Sequence, residues 1–395
     1  MTSYYGSGIN DLDSLRQEVL SLKQDNFDCY VDSNSLKFSD GRVFVPKLTL
    51  DNGKVFEPDA EFEYWMTPNN RANSQLRSTY GMPDIRWLEK QPQDLIDYVF
   101  NRRVGLTDAK RLMLRGYKDN YRTDEGGNSD YDYNIRGQLS DKYTRIDNLD
   151  VVDMLAKAQQ TAGMHNTFVA NLRMDRDFMS FWFLCKDFEV GQDPRGSRNG
   201  GNGTPLYPAA KITNGEVGNS SVWFQGGTFT GWCSNGMAFG TRTEESVSFR
   251  HRSKLRAEVL AVMAAEIAHC FAFSIPVAEA YVASYGEIIV GSALKDLVGE
   301  WSTKYGLSEE VQNTWYLQTR QEAINRGAQD ITWGDLINGI TQQVHTLDDD
   351  AGAEAIAVET YEGIGGDLLR SLFQLPTYDQ FKAERIAQLE TSRLL

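Results

Sequence analysis

The sequence predicts an α+β fold, with an antiparallel, β-rich module over residues 1–252 and a mainly helical, acidic region over 253–395. Runs of β-forming residues between turn signals such as Asp40-Gly41 predict the first part. Apolar residues at helical spacing predict the second. Charge changes near the same boundary: residues 257–395 carry 21 Asp/Glu and 8 Lys/Arg, so they hold −13 of the net charge of −15.

The spacing of apolar residues and the positions of Gly and Pro predict the N-terminal helices and strands. Residues 11–24 have an apolar stripe typical of a short helix. Residues 69–103 read as helical with an interruption at Gly81-Met82-Pro83, and Pro92 suits the start of the second helix. Strands are expected at 110–118 and 133–140, with a Tyr- and Asp-rich loop at 119–132 between them. A helix at 149–160 and strands at 166–173 and 179–188 follow.

The stretch "FQGGTFTGWCSNGMAFG" at 224–240 raises the question of an active-site loop. It has neither glycine pattern of a phosphate-binding loop, and a strand rather than a helix follows it. The sequence therefore predicts strands at 220–226, 229–240 and 245–252, with a turn at Gly226-Gly227 and a flexible loop at 193–205 before them. Beyond residue 253, helices are expected at 254–273, 277–285, 308–326, 333–345, 367–374 and 378–393. Linkers between them are expected at 348–350 and 363–366.

Bulk features exclude several classes of protein. The N-terminal residues lack the basic and apolar regions of a signal peptide. The most apolar stretch, Leu255 to Pro276, contains four polar or charged side chains that a membrane span would not carry. The four cysteines are scattered without a CxxC pair, which argues against zinc and disulfides and suits a reducing cytoplasm.

No residue pattern predicts an enzyme or a cofactor. Cys233 with His251 is the best pair for nucleophilic catalysis, but a buried structural thiol explains Cys233 better. Glu266 and His269 have the ExxH spacing of helical di-metal sites, but no second ExxH accompanies them. The sequence therefore predicts no catalytic residue, no metal and no cofactor, and leaves an enzyme as a third possibility.

Basic and aromatic residues give the most suggestive pattern. Residues 71–122 hold eleven Lys/Arg against six Asp/Glu. Single-stranded nucleic acid requires cations along its phosphates and aromatic faces for its bases. The residues expected to supply them are Arg115, Lys118, Tyr121, Arg122, Arg136, Tyr143, Trp232, Arg250 and Arg252. The alternative is an ordinary sheet surface whose cations pair with neighbouring acids.

Several segments resemble a family from phages, plasmids and integrated mobile elements, the phage/plasmid-like domain of unknown function 932. They are "ANSQLRSTYGMP" (72–83), "IRGQLSDKYTRIDNLDVVDML" (135–155), "GWCSNGMAFG" (231–240), "SVSFRHRSKL" (246–255) and "ITWGDLINGIT" (331–341). The chain departs from the family in the loops at 119–132 and 191–206, and in Asn338-Gly339, where the family more usually has Asn-Ala. The resemblance implies a phage or plasmid protein of the host cytoplasm, and does not supply an activity.

Two hypotheses follow. The genetic setting is similar to that of RecT-type single-strand annealing proteins, an analogy that implies an oligomer binding single-stranded DNA in recombination or replication without cofactor chemistry. The acidic C-terminal region would then bind a phage or host protein or mimic DNA. The alternative is a structural or host-factor-interacting phage protein that binds no nucleic acid, either a homo-oligomeric assembly or an inhibitor of a host factor.

Overall fold

A computed structural model describes most of the chain. The described residues are 2–3, 9–45, 48–50, 55–56, 65–83, 85–88, 90–123, 129–162, 164–187, 191–193, 204–218, 220–230, 236–238, 246–249, 256–343, 353–376 and 379–384.

The strands form two large sheets and one short ribbon. In chain order they are β1 Thr2–Ser3, β2 Asn26–Asp32, β3 Lys37–Ser39, β4 Arg42–Phe44, β5 Leu48–Leu50, β6 Val55–Phe56, β7 Trp65–Pro68, β8 Arg111–Thr123, β9 Ser129–Ser140, β10 Thr167–Met174, β11 Phe178–Cys185, β12 Gly191–Asp193, β13 Thr204–Gly215, β14 Val222–Thr230, β15 Gly236–Ala238, β16 Ser246–Phe249, β17 Ile288–Ile289 and β18 Ile331–Thr332. The first sheet has the order β3-β4-β7-β9-β8-β2-β5-β6. The second has the order β1-β10-β11-β13-β14-β15, with β12 on β13 and β16 on β14. Among the described strands, β7 and β9 form the one parallel pair.

The helices are short in the first half of the chain and longer in the second. They are α1 Leu12–Lys23, α2 Asn70–Thr79, α3 Ile85–Leu88, α4 Gln93–Val104, α5 Asn148–Ala162, α6 Arg256–Ser284, α7 Ala293–Tyr305, α8 Glu309–Arg326, α9 Trp333–Thr341 and α10 Ala353–Phe373. A 3-10 turn spans Ser33–Ser35, and 379–384 are helical. The predicted α+β class is confirmed: antiparallel strands dominate the first part and helices the second.

Side-chain caps mark the starts of several helices. Asp11, Asn69 and Ser308 each accept a hydrogen bond from a backbone N–H in the first turn of α1, α2 and α8. The predicted interruption after α2 is confirmed at Gly81, which has a φ of +57°.

Two expectations about the strands are wrong. Most of the predicted loop at 119–132 is instead the end of a long hairpin, since β8 and β9 pair out to Thr123 and Ser129. The stretch 204–215, which the prediction left without structure, is the central strand β13. Small and polar residues obscured this strand, because both of its faces pack inside the fold and its pattern does not alternate.

The predicted turn at Gly226-Gly227 is also wrong, because both glycines lie within β14 opposite Ala210 and Ala209. A Cβ on Gly226 would stand 3.0 Å from the carbonyl oxygen of Cys270 in α6. A side chain at position 226 would therefore press against the backbone of the helix, and glycine permits the close approach. The Ser274 hydroxyl accepts a hydrogen bond from the Gly227 N–H at 3.0 Å at the same contact.

Three helical expectations change. The helices predicted at 254–273 and 277–285 are one helix, α6, that contains Pro276. The linker predicted at 363–366 lies inside α10. Helix α7 was not predicted. The predicted linker at 348–350 lies outside the described residues, as does Asn52-Gly53, a second turn signal in the β-rich N-terminal stretch.

Packing divides the interior into two main cores. One lies between the first sheet and helices α2 and α4. The other lies between the second sheet and helices α1, α5 and α6, and continues through α7 to α10. This second core contains residues from both sides of the predicted domain boundary at 252/253. The boundary itself stays a prediction.

Candidate nucleic-acid interface

Two of the predicted nucleic-acid contacts lie in a buried group of charges where the sheets meet. The ion cluster is defined here as Asp28, Arg115, Arg136, Asp147 and Glu216. Arg115 and Arg136 lie on the neighbouring strands β8 and β9, and only 2% and 1% of their surfaces are exposed. Turns of the second sheet at 175–177 and 215–218 dock against them.

Arg115 is held by several acceptors at once. Its Nε donates to Asp28 Oδ1 at 2.9 Å, one terminal nitrogen donates to Asp147 Oδ1 at 2.6 Å, and the other donates to the carbonyl oxygen of Glu216 at 2.8 Å. Burial opposes its charge, but the attraction of Asp147, Asp28 and Glu216 outweighs burial and raises the pKa of Arg115 well above its usual value. The guanidinium is therefore a fixed cation inside the fold.

Arg136 completes the junction. Its guanidinium lies 2.8 Å from Glu216 Oε2 and donates to the carbonyl oxygen of Arg176 at 2.6 Å.

The carboxyl groups of the junction respond to burial and to the arginines in different ways. Burial opposes ionisation of Asp147, yet Arg115 and Lys23 overcome it and lower the pKa of Asp147. At Asp177 burial prevails over the nearby Arg136, and the pKa of that carboxyl is raised. Removing one partner of such a buried pair costs about 3–5 kcal/mol.

The side chains of Arg115 and Arg136 are therefore enclosed in the fold, which argues against their predicted contact with nucleic acid. Their face of the first sheet is covered by the turns of the second, so neither guanidinium can meet a phosphate from solvent. Tyr143 lies at the same junction, where its hydroxyl donates to the carbonyl oxygen of Glu216 at 3.2 Å. Burial is the main cause that raises the pKa of Tyr143.

Of the other predicted contacts, Lys118 alone has a described side chain. Lys118 is exposed on β8. Tyr121 and Arg122 belong to β8, but their side chains lie outside the described part of the molecule. Trp232, Arg250 and Arg252 are not among the described residues, and neither are Cys233 and His251.

A different set of basic and aromatic side chains lies on the second sheet, on the face opposite α5 and α6. Along β11, Phe181 and Phe183 pack into the helix-covered core, whereas the alternate residues Trp182 and Leu184 form a separate cluster with Ala209. The aromatic face is defined here as Phe168, Trp182, Lys186, Tyr207 and Lys211.

Lysine ammonium groups stand over the rings of the aromatic face. Lys186 Nζ lies 3.6 Å from the ring centroid of Phe168 and 5.9 Å from that of Tyr207. Lys211, the cross-strand neighbour of Trp182, places its Nζ 6.0 Å from that indole. These distances are those of cation–π contacts. Trp182 and Lys211 are buried, Phe168 and Tyr207 are half-buried, and Lys186 is exposed, so the accessible part is the Phe168–Lys186–Tyr207 rim.

The described residues contain no group of three or more His, Cys, Asp or Glu side chains placed to hold a metal ion. The Glu266 carboxylate of the ExxH pair is instead bound by the Lys382 ammonium. No described helix has the length and apolar character needed to cross a bilayer.

Comparisons with protein-family models, curated proteins and solved structures found no match. The resemblance to the phage/plasmid-like family stays a prediction.

Proposed function

We propose that the protein is a non-catalytic, oligomeric single-stranded DNA-binding or annealing protein of a mobile element, acting in recombination or replication. The observation that carries this proposal is the rim of the aromatic face, where the exposed Lys186, just after β11, stands between partly exposed rings on the two strands that flank β11. Aromatic rings stack on bases of any sequence, and a nearby ammonium can meet the phosphate that joins them.

The rim suits a single strand better than a duplex. Bases of a single strand can turn toward a sheet surface, whereas those of a duplex are stacked on each other and hidden from it. The rim has two rings and can stack on no more than two bases, so a longer strand needs further contacts. Lys118, Tyr121, Arg122, Trp232, Arg250 and Arg252 stay predicted contacts of this kind.

The direct test is the fluorescence anisotropy of a labelled single-stranded oligonucleotide, titrated with the full chain at several salt concentrations. We expect binding whose logarithmic affinity falls linearly with the logarithm of the salt concentration, by about 0.7 per phosphate neutralised. A duplex of the same sequence serves as the comparison and should bind more weakly. Absence of binding at low salt would overturn the proposal.

A structural or host-factor-interacting role is the second candidate, and one observation favours it. The outer side of α8, in the acidic part of the chain, exposes Leu317 and Ile324 to solvent. Exposed apolar positions in register on a helix are typical of a protein-binding surface.

A further inference from the structure

Two helices on different parts of the molecule expose apolar side chains in a line. On α4, Leu95 and Tyr98 point outward, Tyr98 with 66% of its surface exposed, and Leu106 follows just beyond the helix at 71%. On α8, Leu317 and Ile324 are 63% and 59% exposed and stand seven residues apart. Residues spaced by seven lie on one side of a helix.

The two stripes differ in charge. The α4 stripe ends in the exposed pair Arg102 and Arg103, in the last turn of the helix. The α8 stripe begins at the exposed pair Glu309 and Glu310, in the first turn. An antiparallel contact between the helices would bring the arginines against the glutamates and the positive end of the α8 dipole against the negative end of the α4 dipole.

The spacing along each helix also matches. Arg102 lies seven residues after Leu95, and Glu310 lies seven residues before Leu317. Seven residues of helix span about 10.5 Å. An antiparallel pair with Arg102 opposite Glu310 therefore places Leu95 opposite Leu317. Ile324 then extends beyond the start of α4, the end of that helix at which α3 and the exposed Trp87 lie.

We propose that the α4 stripe of one molecule binds the α8 stripe of a second copy of this chain. Both stripes are exposed within one molecule, so they do not cover each other there. Because two different surfaces would meet, a pair of copies keeps one free α4 stripe and one free α8 stripe, and the contact propagates into a ring or a filament. The proposal does not depend on nucleic-acid binding.

The test is sedimentation velocity of the full chain without nucleic acid, over a range of protein concentrations. We expect self-association that weakens as salt rises. Tyr98→Asp and Leu317→Asp should each weaken it more than tenfold, because each places a charge in the apolar contact. Lys157→Asp serves as the matched control, since Lys157 is exposed on α5 outside both stripes and its change should leave self-association unaltered.

A charge swap tests the orientation. Arg102→Glu and Glu310→Arg should each weaken association about two- to fivefold, the range measured for exposed ion pairs, and together they should restore it. Circular dichroism checks that each variant is folded.

A chain that stays monomeric at the highest concentration would overturn the proposal. So would stripe variants that associate like Lys157→Asp, or a swap that restores nothing. Tyr98→Asp that weakens oligonucleotide binding and leaves self-association unchanged would instead assign the α4 stripe to nucleic acid.

Discussion

Two groups of cationic side chains in the described part of the molecule have the same charge but different burial and different neighbours. In the ion cluster, arginines on β8 and β9 are buried and surrounded by carboxylates. On the aromatic face, lysines stand over rings, and one of them reaches solvent. Fixed, compensated cations join two parts of a fold, whereas an exposed cation with aromatic neighbours is available to a ligand. The difference lies in the residues that surround each cation, and these come from other elements, so the sequence of the cation's own strand does not predict them.

Replacing Arg115 should give the largest effect and affect stability first. Arg115→Leu leaves Asp28 and Asp147 without their main counterion, and we expect the free energy of unfolding to fall by about 3–5 kcal/mol in urea titrations. Arg111→Leu is the matched control on the same strand, since Arg111 is exposed and lies against the ring of Tyr30. An Arg115→Leu variant with normal stability but without oligonucleotide binding would contradict this assignment and indicate that Arg115 contacts DNA.

Acid should weaken the ion cluster through Asp147. The pKa of Asp147 is lowered in the folded protein, so the stability from its ionised form is complete above the unfolded pKa of about 4 and is lost as pH falls through the folded value. Asp147→Asn should be less stable at neutral pH by about 1–3 kcal/mol and should lose less on acidification. Unfolding titrations across acidic pH measure both effects, and an unchanged acid slope would contradict the assignment. Asp153→Asn, at an exposed ion pair on α5, is the control.

Loss of a ring on the aromatic face should reduce binding with a smaller change in stability. Tyr207→Leu keeps an apolar side chain and removes the stacking surface, and should weaken oligonucleotide binding by about 1–3 kcal/mol. Tyr30→Leu, on the first sheet, should leave binding unchanged. Equal losses from both variants would show that the second sheet is not the binding surface.

Removing the exposed lysine should have the smallest effect. Lys186→Gln should lower the salt dependence of oligonucleotide binding by about one phosphate contact while leaving stability nearly unchanged. Lys157→Gln on α5 is the matched surface control. If both variants kept the salt dependence of the original protein, Lys186 would not contact phosphate.

The sequence predicted the elements whose signals are local. Helix α8, with its Ser308 cap, and the break at Gly81 follow from residues close together in the chain. The stretch "FMSFWFLC" (178–185) signals a strand with two covered faces, because its apolar residues do not alternate. The same feature hides which face receives helices, and the aromatic face was missed for that reason.

Partners distant in sequence set the remaining features. Glu216, whose carboxylate lies near both arginines, is in a turn that no local pattern connects to β8 or β9. The Gly226-Gly227 pair is typical of a turn when only the adjacent residues are considered, but Gly226 lies in β14 where α6 packs closely against the strand. Pro276 likewise reads as a break, although tertiary packing keeps α6 continuous around it.

The ion cluster also constrains the order in which the chain can become stable during synthesis. Glu216 is separated from Arg115 by 101 positions, although their atoms meet in the folded protein. At about 5–20 residues per second, a ribosome needs roughly 5–20 s to deliver that carboxylate after the arginine. For most of this interval Arg136 is already part of the chain but lacks the Glu216 carboxylate that lies 2.8 Å from it in the folded protein. A nascent chain, or an expressed fragment that stops before residue 216, therefore carries an unfinished junction and a target for chaperones and proteases.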